Sequence, residues 1–579
     1  MQDRRAPALA LPLALPLVLG LCFFLSGAGS LMLEVVWSRL LRLVFGTTTL
    51  AISTILVAYM AGLGLGAYLG GRLAPRVRDG VRAYAWLELA VGAYALLVPG
   101  IFALFPGLGR AWLSGLPFWP AALVRFALSL AVLIVPTVGM GMTLPLLTRE
   151  VVRDASWAGR GIGLLYGLNT LGAVFGVFVS TFAFLPWLGV RGSCFAGAGI
   201  DLAVGALALW SARSRAPAAA PLLASAAPAP APGGALARWN PGLLAYGTVG
   251  FTSLVYEVTW TRALSMVMGS SIYAFSCMLA AFLLGIALGS LASARVADRV
   301  TRPLLAYAAG LTALGLLSFA SFALLPHLPE AFMALVRRSG GSPLALLGAQ
   351  IAMAVPVMLP PALVLGALFP LLSRAQTAIS GAAPAVGDVY FVNTVGSALG
   401  AFAAGFVLLP LLGLRGTTAL AIALNLAAAA AVLSWRGHTR APVRAALAAA
   451  PALGALAIAL APPPFDPGLL AEGSFVAARI FETAADPSIL EGMPSEELLY
   501  YRDGISASVS VHRLRGMISL HTNGKPDAST GPDMGTQVML GEAGLLFGPP
   551  AKDALVIGFA SGITVGSLAR HPVERIDAV

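Results

Sequence analysis

Long apolar runs separated by short basic loops dominate the first three quarters of the chain. Runs of 18 or more apolar residues recur with hardly a charge inside them, which is the pattern of helices solvated by lipid. Twelve such spans are predicted. In the first half they lie near 13–34, 48–70, 83–106, 121–148, 162–187 and 190–210. In the second they lie near 241–258, 271–293, 303–325, 344–372, 388–411 and 413–434. Beyond Trp435 the pattern changes. A short Ala-rich run at 445–461 ends in PPPFDP, and residues 499–522 then alternate in the manner of paired strands. Asn523-Gly524 predicts a tight turn, DALVIG and ERIDAV predict two further strands, and a helical stretch lies between them.

The spans repeat. Residues 30–72 align with 253–295 without a gap, so Glu34 matches Glu257, Trp37 matches Trp260, Arg39 matches Arg262 and Gly46 matches Gly269. Later, Pro136, Gly141, Pro145 and Arg149 match Pro361, Gly366, Pro370 and Arg374. LYGLNTLGAVFG matches VYFVNTVGSALG, which pairs Tyr166 with Tyr390 and Asn169 with Asn393, and LPWLGVRG matches LPLLGLRG. Apolar composition alone does not align Glu, Trp, Arg and Asn in order, so the chain carries an internal duplication. The duplication also settles the opening Leu/Ala run: its counterpart sits in mid-chain, so it reads as a retained span and not as a signal peptide.

The predicted organisation is a six-span repeat at 1–210, an Ala/Pro-rich linker at 211–240 and a second six-span repeat at 241–435. A basic loop with a possible thirteenth helix follows at 436–465, then a strand-rich module at 466–530 and the start of an α/β domain at 531–579. An even number of spans per unit makes the halves parallel repeats about an axis along the membrane normal.

Composition agrees: 58% of residues are hydrophobic and 11% charged, against about 25% charged in soluble domains. The net charge of +11 is uneven, because from Pro462 onward there are 8 basic and 14 acidic residues. The excess base lies in short loops, where it orients a membrane protein and forms no nucleic-acid stripe. Arg72, Arg76, Arg78, Arg82, Arg149, Arg153, Arg160, Arg295, Arg299, Arg302 and Arg374 all fall on one predicted face with the amino tail. That face is expected in the cytoplasm, and the protein in a cell (inner) membrane. Cys22, Cys194 and Cys277 lie in apolar runs and give neither a disulfide framework nor a zinc spacing. The five histidines are scattered without ligand spacing, so no metal site is expected.

Acids inside a bilayer are functional candidates. Glu34 and Glu257 come first, because both copies retain them. Arg lies five residues after each Glu and so cannot easily pair within its own helix, which suggests a Glu34–Arg262 and Glu257–Arg39 exchange across the axis. The competing reading anchors these groups at the outer interface. Asn169 and Asn393 fall in Gly-rich helices, as helix-bridging amides or as substrate contacts. Glu88, Asp201 and Asp388 show no clear repeat partners.

Two parallel six-span halves resemble the major facilitator superfamily. GSLASARVADRVTR, with Gly289, Asp298, Arg299 and Arg302, is similar to that family's loop between second and third spans, whereas Pro75 stands at the Asp298 position in the first half. The carboxyl-terminal part reads YRDGISASVSV, TNGKPDAS and PDMGTQVMLGEAGLLFGPPAKDALVIGFASGITVGSLARHPVERIDAV. It resembles the spermidine synthase family, and the whole chain resembles bacterial proteins that fuse a membrane half to such a domain. The resemblance implies a methyltransferase-like Rossmann fold, a decarboxylated S-adenosylmethionine-type donor and aminopropyl transfer to an amine. Gly558 and Gly562 would lie against the donor, Asp533 would line the entrance and Gln537 would face the substrate. Gln537, Val538 and Met539 replace the family's Tyr, His and Glu, and the catalytic Asp is expected beyond residue 579. The expected activity is therefore that of a truncated, inactive aminopropyltransferase-like protein. The alternative is a transporter or sensor whose soluble domain binds a nucleoside or polyamine without chemistry.

Overall fold

The computed structural model describes residues 14–579 apart from 46–47, 109–114, 153, 214–239, 340–341, 436–440, 464, 477 and 479–495. The linker, Arg153 and Gly46 fall outside the described residues.

The first half comprises α1 (Ala14–Phe45), α2 (Thr48–Leu73), α3 (Gly80–Leu108), α4 (Phe118–Val151), α5 (Ala158–Val179) and α6 (Leu185–Arg213). The second comprises α7 (Pro241–Met268), α8 (Ile272–Val296), α9 (Pro303–Leu324), a short amphipathic α10 (Leu328–Ser339), α11 (Pro343–Ser380), α12 (Ala382–Ala403) and α13 (Leu409–Ser434). Among the described residues, ten helical stretches are long and apolar enough to cross a membrane. Two of them, Ala158–Arg213 and Ala382–Ser434, run to 56 and 53 residues. At 1.5 Å per residue each would be about 80 Å long, far beyond a hydrocarbon core of about 30 Å. Both double back at a glycine with positive φ, Gly189 (66°) and Gly413 (65°), inside the repeated LPxLGxRG element. The protein is a multi-pass, mainly helical membrane protein.

Each half packs alike: α1 on α5, α2 on α4 and α3 on α6 in the first, and α7 on α12, α8 on α11 and α9 on α13 in the second. The halves meet through α2 on α12 and α5 on α8. In the first crossing of each half, a Cβ on Gly27 would strike the Asn169 carbonyl, and one on Gly250 the Asn393 carbonyl. Only glycine permits that approach, which brings the Asn169 amide within 3.1 Å of the Phe23 carbonyl it donates to.

A further helix, α14 (Ala441–Leu460), runs back along α13. Arg415, near the start of α13, donates to the carbonyls of Pro462 and Pro463 (both 2.7 Å), so α14 ends level with the start of α13. Its leucines 447, 453, 456 and 460 stay exposed, as lipid-facing side chains do. The Ala-rich run therefore packs lengthwise against α13 on the outside of the helical bundle.

Beyond α15 (Pro467–Ala471), strands β1 (Glu497–Asp503), β2 (Ser508–Leu514), β3 (Met517–Thr522) and β4 (Lys525–Ser529) form an antiparallel meander. Asn523-Gly524 makes the predicted turn, with φ of 50° and 78°, and Arg515-Gly516 makes a second of the same kind. Next come α16 (Met534–Phe547), β5 (Asp553–Val556), α17 (Ile563–Leu568) and β6 (Arg575–Ala578), and β5 pairs with β6 in parallel. Among the described residues these two strands form a sheet of their own, separate from the meander.

Candidate functional site

The seam between the halves gathers the duplicated polar residues. Helix α1 runs eleven residues past the predicted span end and α7 ten, so Glu34, Trp37, Glu257 and Trp260 all sit within helices. Trp37 and Trp260 are fully buried, against Tyr59 (6.1 Å between rings) and Tyr256 (5.0 Å) respectively. Side chains packed this way are wedges inside each half, unlike the exposed Trp of an interfacial anchor. Glu34 and Glu257 retain partial solvent exposure and lie close enough for their charges to interact, with Tyr59 and Tyr390 within reach of the Glu34 charge. The repeat-related Tyr166 and Tyr390 meet edge to face at 6.5 Å, and Phe369 packs on both. Equivalent residues touch each other only near a two-fold axis, so this aromatic cluster marks it.

The expected exchange of ion pairs does not form among the described residues. Arg262 instead donates to the carbonyls of Gly504 (3.3 Å) and Ile505 (3.0 Å) in the carboxyl-terminal domain. Its position near the end of α7 carries its side chain away from the acids and towards the β1–β2 loop. Asn169 and Asn393 lie at the two helix crossings described above, in the helix-bridging position.

Two locks close the seam at the arginine-rich face. At the α2–α12 contact, Arg72 pairs with the buried Asp388 at 2.9 Å. At the α5–α8 contact, the Asp298 carboxylate accepts from the backbone N–H of Gly159 (2.8 Å) and Arg160 (2.9 Å) in the first turn of α5. Arg374 braces that loop through the carbonyls of Ala297, Asp298 and Val300, and Arg149 does the same for Ala74 and Val77. Sequence reasoning passed over Asp388 because no acid stands at its repeat position, where Leu164 is found.

The carboxyl-terminal domain docks on the opposite face. Asp503 accepts from the Leu414 N–H (2.8 Å) just after the Gly413 bend and from the hydroxyls of Tyr501 (2.8 Å) and Ser508 (2.5 Å). A cavity of about 370 Å³ remains at this junction, lined by residues that include Gly413, Arg415, Phe465, Tyr501 and Asp503.

The four residues marked by resemblance come together on the domain's exposed side. Gly558 (φ 92°) and Gly562 (φ 76°) frame the turn between β5 and α17. The Asp533 carboxylate accepts from Ser529 and from the Gln537 amide (2.8 Å), and Gln537 in turn accepts from Ser561 (2.7 Å) inside that turn. The Ser529 hydroxyl, as the largest influence, holds the Asp533 carboxyl below its usual range.

The histidines depart from expectation. Nine residues apart in sequence, His512 and His521 come together because β2 and β3 pair with Ser510 opposite His521 and His512 opposite Ser519. Glu496 joins them, and one ligand atom from each of the three lies within 4.8 Å of the others. Linear spacing predicts no metal site, and hairpin register supplies a proximity of potential ligands that linear spacing hides.

No protein-family model matches the chain, and no curated protein does either. Among solved structures it is similar to a variant of the E. coli fucose:proton symporter FucP, at 15% identity and a TM-score of 0.43, covering 73% of this chain and 99% of that one. It is also similar to the major facilitator superfamily proton:xylose symporter XylE bound to 6-bromo-6-deoxy-D-glucose, at 15% identity and a TM-score of 0.40, covering 72% of this chain and 94% of that one. Likeness at this level bears on neither substrate nor coupling.

Proposed function

We propose that this chain is a major-facilitator-like transporter of a small solute, with Glu34 and Glu257 as the paired acids of its central site. The reading is carried by the placement of two duplicated acids at the seam between two pseudo-symmetric halves, near enough for the Glu257 charge to act on Glu34. Two carboxylates in each other's field favour a positively charged guest, which relieves their repulsion. A polyamine has that chemistry. The arginine-rich face is taken as cytoplasmic by the distribution of base, which puts the carboxyl-terminal domain outside. Proteoliposomes loaded from outside with labelled spermidine test the proposal. Glu34→Gln and Glu257→Gln are each expected to lower uptake at least tenfold while leaving the protein monodisperse. Uptake equal to that of empty liposomes in the unaltered protein, or unaffected by both substitutions, removes the reading.

One arrangement favours a second reading. The strand, glycine turn, helix and parallel strand from β5 to β6, with Asp533 and Gln537 held against the turn, support a spermidine-synthase-like domain, hence a membrane-bound aminopropyltransferase. An external location weighs against it, because an S-adenosyl donor is not expected there. Incubation with decarboxylated S-adenosylmethionine and putrescine decides it: without any transferred aminopropyl group, the domain has no such chemistry.

A further inference from the structure

The meander is built inside out. Its buried face carries Ser508, Ser510, His512, Ser519 and His521, whereas Val509, Val511 and Leu520 on the other face stay half exposed. Burying a polar face is costly unless something satisfies it. His512 and His521 are essentially inaccessible and stack at 4.3 Å between ring centres. Glu496 Oε2 lies 3.1 Å from His512 Nδ1 and 3.9 Å from His521 Nε2. Both Glu496 Oε2 and His512 Nδ1 are buried with no hydrogen-bond partner.

We propose that His512 Nδ1, His521 Nε2 and Glu496 bind a divalent transition-metal ion, zinc by preference, in the carboxyl-terminal domain. Two imidazoles and one carboxylate are a recurrent zinc set, leaving a fourth position for water or a further ligand. The three atoms lie within 4.8 Å of one another, against a tetrahedral edge of about 3.3 Å for ligands at zinc distances. Each imidazole is oriented from behind. His512 Nε2 lies 2.8 Å from Ser510 Oγ, and His521 Nδ1 lies 3.2 Å from the Ala471 carbonyl, which only an N–H satisfies. That bond fixes the tautomer and turns the Nε2 lone pair of His521 towards Glu496. Ser519 Oγ, 2.9 Å from the same Nε2, is placed to accept from a metal-bound water once rotated.

The ion would tie β2 and β3 to Ala471 in α15, and so to the segment that reaches α7 through Phe475 against Gly269.

The test uses the full chain in detergent, stripped with a chelator and then equilibrated against micromolar free zinc. Elemental analysis is expected to find one zinc per chain, and cobalt substitution the visible bands of a tetrahedral site. Glu496→Gln keeps shape and is expected to weaken binding at least 100-fold, as is His512→Ala. Ser510→Ala, which removes only the orienting partner, should weaken it about tenfold. Size exclusion and thermal unfolding check that each variant is folded, and zinc should raise the melting temperature of the unaltered protein most, Ser510→Ala less, and Glu496→Gln and His512→Ala least. Absence of zinc in the unaltered chain, or equal zinc in Glu496→Gln, overturns the proposal.

Discussion

The two seams that join the halves occupy equivalent places yet use different chemistry. In one, Asp298 caps α5; in the other, Pro75 stands at the corresponding position and Arg72 pairs with Asp388. The reason is visible in the receiving helix. Gly159 and Arg160, whose N–H groups bind Asp298, correspond to Ala383 and Pro384, and Pro384 has no N–H to offer. With half of the receptor gone, a carboxylate at position 75 has little to cap, and an ion pair one turn further along does the work. The cores diverge in the same way. In the second half Asn425 accepts from Thr252 and donates to Tyr256 (both 2.8 Å). In the first, Asp201 stands at that position facing Gly29, and both its carboxylate oxygens are buried without a partner. Duplication conserved the backbone plan, while each copy solved its polar accounting separately.

Substitutions can break or sharpen this contrast. The largest effect is expected where the halves agree: Gly27→Leu and Gly250→Leu each drive a side chain into a backbone carbonyl, and folded, monodisperse protein should fall more than tenfold in size exclusion. Next comes a core difference. Asn425→Ala takes a partner from two buried hydroxyls, leaving Thr252 its bond to the Val249 carbonyl, and should cost about 2–4 kcal/mol in reversible unfolding from mixed micelles. Asp201→Ala breaks no bond and should cost under about 1 kcal/mol. Equal costs would erase the asymmetry. At the seams, Asp388→Asn leaves Arg72 without its counter-charge, for about 1–3 kcal/mol given the partly exposed arginine. Asp298→Ala removes a cap worth about 1 kcal/mol, and thermal melting should rank the two in that order. Smallest of all, Pro75→Asp should shift melting by no more than about 0.5 kcal/mol, because Pro384 cannot answer it.

Much of this was legible in the sequence, for a physical reason. A bilayer forces spans to be long and apolar, so their number and pairing follow from periodicity and from the Glu, Trp, Arg and Asn markers. The true ends of α1 and α7 were not legible, because Arg39 and Arg262 read as interfacial when they lie inside continuing helices. Partner choice was hidden too: Arg262 turns towards Gly504 and Ile505, some 240 residues away in sequence. The cluster of His512, His521 and Glu496 depends on strand register, and nothing in one-dimensional spacing reports register before the Arg515-Gly516 turn is recognised. Asp388 was passed over because a repeat comparison sees what copies share, and this lock belongs to one copy.

The Asp503 contact with Leu414 and the Arg262 contacts with Gly504 and Ile505 fasten the carboxyl-terminal domain to α7 and α13, both in the second half. Under the proposed transport, in which the halves rock against each other, the domain rides on one of them as a pointer. Any tilt of that half is swept into a larger displacement at the domain's far side, and by reciprocity a ligand or antibody that prefers one position of the pointer must bias the equilibrium between the tilts beneath it.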